Sequence, residues 1–304
     1  MDARASPKTV IIMRWMRATS SRRALSAVTR NWSPQAFTGG GSLTANGRRR
    51  NAFYMQFDTT ELAEYLDDHA NGVWPEMQTA LVDAGWHNYS LFYRPDGFAV
   101  GYFESDTDFT TACARMDATD INTKWQAAMS KFTPAGVSPI DASGEFTHYF
   151  YLGVDVAGSE SESTIDDASS PSWAPQASTG GGGLTASGRR RIAFYMQFNT
   201  TELAEYLDDH ATGVWPEMQT ALVDAGWHNY SLFYRPDGFA MGYFESDVDF
   251  DTACARMDAS PINAKWQAAM SKHTPSGESP IDASGEFTHY FYLGTDLLAE
   301  EEDR

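Results

Sequence analysis

Tyr65 and His69, two residue types that handle hydroxyls and protons, stand four apart in the string Leu62-Ala-Glu-Tyr65-Leu-Asp-Asp-His69. On a helix that spacing puts both on the face shared by Leu62, turned toward the domain interior. An imidazole there is a natural general acid or base, because its ordinary pKa of about 6.5 lets it take and give a proton near neutrality. The same position also suits a buried His tied to a carbonyl. Further along, Trp86-His87-Asn88-Tyr89 reads as the start of a strand, so His87 and Tyr89 point one way and Asn88 the other. A Tyr89 turned to the helix layer is placed to hydrogen-bond a polyol. Trp125, on a later helical stretch, offers either an aromatic face to the C–H side of a sugar ring or plain core packing. Trp74-Pro75 reads as an ordinary helix start, and spacing identifies no partner for His148.

Other chemistries find no support. The glycine runs at 39–41 and 180–183 lack the Lys-Ser/Thr or strand-to-helix context of a phosphate loop. No His spacing matches a zinc motif, so no metal is expected. Cys113 and Cys254 are the only cysteines, too few for a disulfide framework, and Cys113 on an apolar helical face reads as inert. Arg48-Arg49-Arg50 reads as a solvated lead-in to a strand.

The elements that must position these residues occur twice. Residues 52–153 and 193–294 align at an offset of 141 with 91 of 102 positions identical, a tandem duplication. In each copy the order is strand (Phe53–Phe57), two helical stretches, a hairpin around Arg94-Pro95-Asp96-Gly97, two more helical stretches (106–117 and 121–131), and a last strand (146–152). That β-α-β-β-α-β order predicts an α+β fold with a ferredoxin-like antiparallel sheet. Both strand faces are apolar: Phe53 and Met55 against Tyr54, Phe98 and Tyr102 against Phe103, Phe146 and Phe150 against Tyr149 and Tyr151. One helix layer covers one face only. The two copies are therefore expected to pack sheet on sheet as an α+β barrel pseudo-dimer, within one chain or between chains as a homodimer.

The expected divisions are a basic extension at 1–31, a Gly-rich leader at 32–50, a domain at 51–153, an acidic Gly/Ser linker at 154–191, a second domain at 192–294 and an acidic tail at 295–304. Leader and linker are expected to be unordered. The extension is Arg- and Ser-rich like a transit peptide, or has no structural consequence. Residues 32–304 carry 15 basic against 40 acidic side chains, a net charge of -25. Such a field repels phosphate and anionic lipid, which argues against nucleic-acid and membrane partners and favours a neutral ligand. With no run approaching the roughly 20 apolar residues of a membrane span, the expectation is a cytoplasmic protein, with organellar targeting by residues 1–31 left open.

The string Tyr65-Leu-Asp-Asp-His69-Ala-Asn-Gly-Val-Trp74-Pro75-Glu76, followed by Gly85-Trp-His-Asn88-Tyr89, resembles the L-rhamnose mutarotase family over nearly the whole of each copy. The resemblance implies a dimeric α+β barrel that interconverts α and β anomers of L-rhamnose or a related neutral sugar without cofactor. It also implies His69 as proton donor and Tyr65 and Tyr89 as sugar contacts. The second copy carries Tyr206, His210 and Tyr230 at the same places. The family uses a Trp-Trp pair on the later helix, whereas Trp125 is followed here by Gln126 and Trp266 by Gln267, which bears on substrate identity. The same barrel shape also hosts cofactor-free monooxygenases and non-catalytic small-molecule binders, so fold alone does not choose among them.

Overall fold

The computed structural model describes residues 35–38, 43–44, 47–70, 72–136, 138–139, 143–153, 176–179, 184–185, 188–211, 213–281 and 283–294. The extension 1–31, most of the connector and the tail 295–304 lie outside them.

The first copy runs β1 (Gln35–Thr38), β2 (Arg49–Gln56), α1 (Leu62–Ala70), α2 (Pro75–Asp83), β3 (His87–Tyr93), β4 (Phe98–Ser105), α3 (Phe109–Asp117), α4 (Asp120–Met129), β5 (Gly144–Glu145) and β6 (Thr147–Gly153). The second repeats it as β7 (Gln176–Thr179), β8 (Arg190–Gln197), α5 (Leu203–Ala211), α6 (Pro216–Asp224), β9 (His228–Tyr234), β10 (Phe239–Ser246), α7 (Phe250–Asp258), α8 (Pro261–Met270), β11 (Gly285–Glu286) and β12 (Thr288–Gly294). Local chemistry sets the boundaries. Pro75 occupies the first turn of α2, where its missing N–H costs nothing. Asp108 caps α3 by accepting from the Thr111 amide at 2.8 Å. Gly97 turns the β3–β4 hairpin at φ +81°, and a Cβ there would meet the Phe57 carbonyl oxygen at 2.3 Å, so both the backbone conformation and the space require glycine.

Two six-stranded sheets result, ordered β5-β2-β4-β3-β12-β7 and β1-β6-β9-β10-β8-β11. Each is ferredoxin-like in its centre and antiparallel at every described pairing. The last strand departs from a simple reading of one copy, one sheet. It begins at home, with Glu145 opposite Phe53 and Gly144 opposite Tyr54 in β2. After Phe146 it enters the other copy's sheet, where β6 pairs with β9. Strand β12 makes the reciprocal crossing to β3. Phe146 marks the corner: its amide donates to the Ala52 carbonyl at 2.9 Å and its ring is buried between the sheets.

That layer between the sheets draws on both copies, with Phe92, Tyr102 and Phe146 packed against Phe233, Tyr243 and Phe287. The outer faces carry the helices, with Phe53, Met55 and Phe103 in one helix-side core and Phe194, Met196 and Phe244 in the other. Both strand faces are thus covered, as the apolar patterning requires.

Three expectations change. Residues 35–38 and 176–179, in stretches expected to be unordered, form edge strands on β6 and β12. Arg50 is no solvated lead-in; it is buried, with its guanidinium 3.1 Å from the Tyr151 ring centroid. Strict alternation also fails where strands bulge. The β6–β9 register shifts between His148 and Phe150, so Tyr149 and Phe150 share one helix-side core rather than opposite faces. In β3 a second shift falls between His87 and Ser90. His87 lies opposite Glu104 instead of alternating in step with Tyr89. Asn88 takes φ +47°, a conformation asparagine tolerates better than most residues.

Candidate active site

Helix α1 supplies the first pair. Tyr65 and His69 are buried, with ring centroids 4.3 Å apart, and Phe57 stacks on Tyr65 at 3.9 Å. The helix spacing also brings His69 Nδ1 to 3.0 Å from the Tyr65 carbonyl oxygen. A carbonyl only accepts, so that contact assigns the proton to Nδ1 and leaves Nε2 as the nitrogen open to a ligand. Burial holds the imidazole pKa at about 4, outweighing the carbonyl bond that works the other way. His69 is therefore neutral at physiological pH, a proton acceptor at Nε2. Of the two readings of its position, the carbonyl-bound core His is observed at Nδ1.

Strand β3 brings Tyr89 to the same place, its ring 5.0 Å from Trp86. Helix α4 brings Trp125, edge-on to His69 at 5.5 Å and to the partly exposed Trp74 at 5.1 Å. Tyr65, His69, Tyr89, Trp125 and Gln126 all line one cavity between the helix layer and the sheet. Tyr206, His210, Tyr230, Trp266 and Gln267 line its counterpart in the second copy. These ten residues thus fall into two equivalent cavities, whereas Trp74, His87, Asn88 and His148, also considered from the sequence, line neither. His210 repeats the His69 geometry, with Nδ1 3.0 Å from the Tyr206 carbonyl oxygen and burial lowering its pKa to about 4. Burial raises the phenol pKa of Tyr65 and pushes that of Tyr89 well above its ordinary value. Both hydroxyls keep their protons and can donate.

Other residues of the cavities were not apparent from the sequence. Asn122 lines the first cavity, donating to Asp117 Oδ1 at 3.1 Å and accepting from Gln126 Nε2 at 3.1 Å. Its four-residue spacing from Gln126 was the available signal. Phe291 of β12 lines the first cavity and Phe150 of β6 the second, each reaching the other copy's site through the strand crossing. Behind them Tyr290 lies 2.7 Å, oxygen to oxygen, from Tyr65, and Tyr149 lies 2.8 Å from Tyr206.

Some titratable groups stand apart. His148 lies against Phe233 at 5.0 Å, its pKa lowered to about 3 by burial and then by Arg50. Cys113 does line the first cavity, but burial pushes its thiol up to about 12, far from a reactive thiolate. Among the described residues, Glu202, Glu205 and His273 have donor atoms within 4.8 Å of one another and could approach a cation. None of them lines either of the two cavities described above. Lys272 Nζ already sits 2.6 Å from Glu205, Asp209 sits 3.2 Å from His273 Nε2, and Phe132 replaces His273 in the first copy. No helix among the described residues is long and apolar enough to cross a membrane.

A family model described as L-rhamnose mutarotase matches residues 50–152 and again 191–293. The L-rhamnose mutarotases of Escherichia fergusonii and Escherichia coli K12 are each 31% identical over 106 residues, covering 34% of this chain and 97% of their own. The same figures hold for that of Shigella flexneri. The solved structure of a monooxygenase-like protein from Listeria innocua overlaps 81% of this chain and 95% of its own, at 12% identity and a TM-score of 0.33.

Proposed function

The chain belongs to the L-rhamnose mutarotase family, isomerases acting on carbohydrates, and from that premise we propose that each cavity interconverts the α and β anomers of L-rhamnose or a closely related neutral sugar. Opening an aldopyranose requires removal of the O1 proton and delivery of a proton to the ring oxygen; closing on the other face reverses both transfers. The two oxygens share one carbon, so acceptor and donor must be neighbours. The observation that carries the reading is the pairing of a neutral His69, Nε2 toward the cavity, with the protonated Tyr65 at a ring separation of 4.3 Å.

In this reading His69 takes the O1 proton during opening and returns it to O1 during closing, so its role as proton donor belongs to the second half-reaction. Tyr65 lends its proton to the ring oxygen and recovers it. Tyr89 holds a sugar hydroxyl from the opposite wall, while Trp125 and the apolar lining exclude water. His210, Tyr206, Tyr230 and Trp266 repeat these roles. Only protons move, so the chemistry calls for neither redox cofactor nor metal. The net charge of -25 over 32–304 favours a neutral over a phosphorylated sugar.

Exchange between the anomeric protons of L-rhamnose, followed by NMR with and without protein, tests this. Acceleration above the buffer rate is expected, with His69→Ala/His210→Ala losing about 10²- to 10⁴-fold of it. No acceleration on a panel of hexoses and deoxyhexoses sinks the mutarotase reading. Full activity in the double variant overturns only the role given to His69 and His210.

A further inference from the structure

Most of each cavity comes from one copy, but the hydroxyl behind its tyrosine does not. Strand β12 shifts register between His289 and Phe291, an extra residue that turns Tyr290 and Phe291 to the same helix-side core. Phe291 lines the first cavity. Tyr290 stands one layer behind, its oxygen 2.7 Å from that of Tyr65 and its ring 5.5 Å from His69. Both phenols are buried, and burial keeps both protonated. The bulge in β6 delivers Tyr149 to Tyr206 in the same way.

Two hydroxyls in contact share one hydrogen bond and leave one proton over. The Tyr290 hydroxyl has no other partner among the described residues. With Tyr290 donating, the proton of Tyr65 is free to point into the cavity, and negative charge growing on the Tyr65 oxygen strengthens the bond it accepts. We propose that Tyr290 and Tyr149 are positioning residues that orient the acid hydroxyls of Tyr65 and Tyr206, so that each active site is completed by the last strand of the opposite copy. This rests on the proposed role of Tyr65 in anomer exchange.

The arrangement predicts a crossed pattern. His210→Ala leaves only the first site, and His69→Ala only the second. Adding Tyr290→Phe to the His210→Ala chain is expected to lower kcat about tenfold, the scale of one neutral hydrogen bond, with KM little changed. Tyr149→Phe is expected to place the same loss on the His69→Ala chain. Tyrosine to phenylalanine keeps the packed ring, and thermal unfolding checks that each variant is folded. A loss falling equally on both backgrounds marks general loosening of the barrel and overturns the proposal, as does full kcat for both phenylalanine variants in every background. A wild-type chain that does not accelerate exchange fails at the earlier step, removing the mutarotase reading and this one with it.

Discussion

Tyr102 and Tyr243, equivalent residues of the two copies, stack ring on ring with centroids 3.8 Å apart and planes 8° apart. Because the pair is its own equivalent, it lies on the pseudo-twofold relating the sheets. Each hydroxyl donates to a buried carboxylate, Tyr102 to Glu104 Oε1 at 3.0 Å and Tyr243 to Glu245 Oε1 at 3.1 Å. The Asn88 amide nitrogen reaches both carboxylates, at 3.1 and 3.2 Å, as does that of Asn229 at 3.2 and 3.1 Å. Two acids are thus held together between the sheets by shared donors, which ties the halves to one another.

Asn88 therefore has two duties, the positive φ of the bulge and the bridge between acids. Asn88→Ala removes one of the two shared donors, leaving Asn229, and strains the backbone, while Asn88→Gly removes the donor alone. Alanine is expected to cost about 2–4 kcal/mol of stability, and glycine less by roughly the 1 kcal/mol of αL strain. Urea unfolding of both variants decides. Equal and negligible losses would show that the carboxylates find other donors.

Acid should loosen the barrel well above the range where carboxylates titrate. Burial lowers the pKa of His69, His210 and His289 to about 4 and that of His148 to about 3, against about 6.5 unfolded. Below 6.5 the unfolded chain binds more protons than the folded one. The stability from these groups is fully present above that pH and is lost as pH falls toward 4, by about 1.4 kcal/mol per unit per histidine. The urea midpoint should fall between pH 7.5 and 5.0, and less steeply in His148→Phe/His289→Phe. A midpoint flat over that interval contradicts the buried neutral state.

The catalytic rate should behave differently from that of an ordinary histidine enzyme. If neutral His69 and His210 accept the O1 proton, the rate above buffer stays level from pH 7.5 to about 5 and declines as pH drops through about 4. Half-loss near pH 6.5 would mean that the imidazole is solvated in the working state. Circular dichroism at each pH separates loss of chemistry from acid unfolding.

How much of this could be read beforehand depends on the range of the interaction. Tyr65 with His69, and Trp125 with Gln126, were accessible because a helix maps short spacings onto one face, and both pairs reached the cavity. The two-faced apolar strands likewise announced a second sheet. The bulges were hidden, since an extra residue at Tyr149 or Tyr290 inverts the alternation without any change of residue type. The strand crossing was hidden for another reason: Thr147–Gly153 and Thr288–Gly294 are identical in sequence, so composition cannot distinguish pairing at home from pairing with the other copy. The buried corner at Phe146 decides that, through a contact with Ala52 far away in sequence.

Where the resemblance to the mutarotase family implies a Trp-Trp pair, this chain carries Trp125-Gln126 and Trp266-Gln267, a difference that bears on which sugar the cavities prefer. Gln126 replaces an indole with an amide that donates to Asn122 Oδ1, and Gln267 repeats this at 3.2 Å while accepting from the Ile281 amide at 3.4 Å. An amide ladder in an otherwise apolar wall favours a ligand with one more hydroxyl, because a site that hydrogen-bonds a hydroxyl discriminates against its absence. L-mannose differs from L-rhamnose only by a hydroxyl on C6. Gln126→Trp/Gln267→Trp is expected to shift the kcat/KM ratio about tenfold toward L-rhamnose, roughly one hydrogen bond. Anomeric exchange measured on both sugars checks it, and a ratio that stays put or moves toward L-mannose would show that the two glutamines do not read the sugar, with Gln267 serving to hold the loop at Ile281.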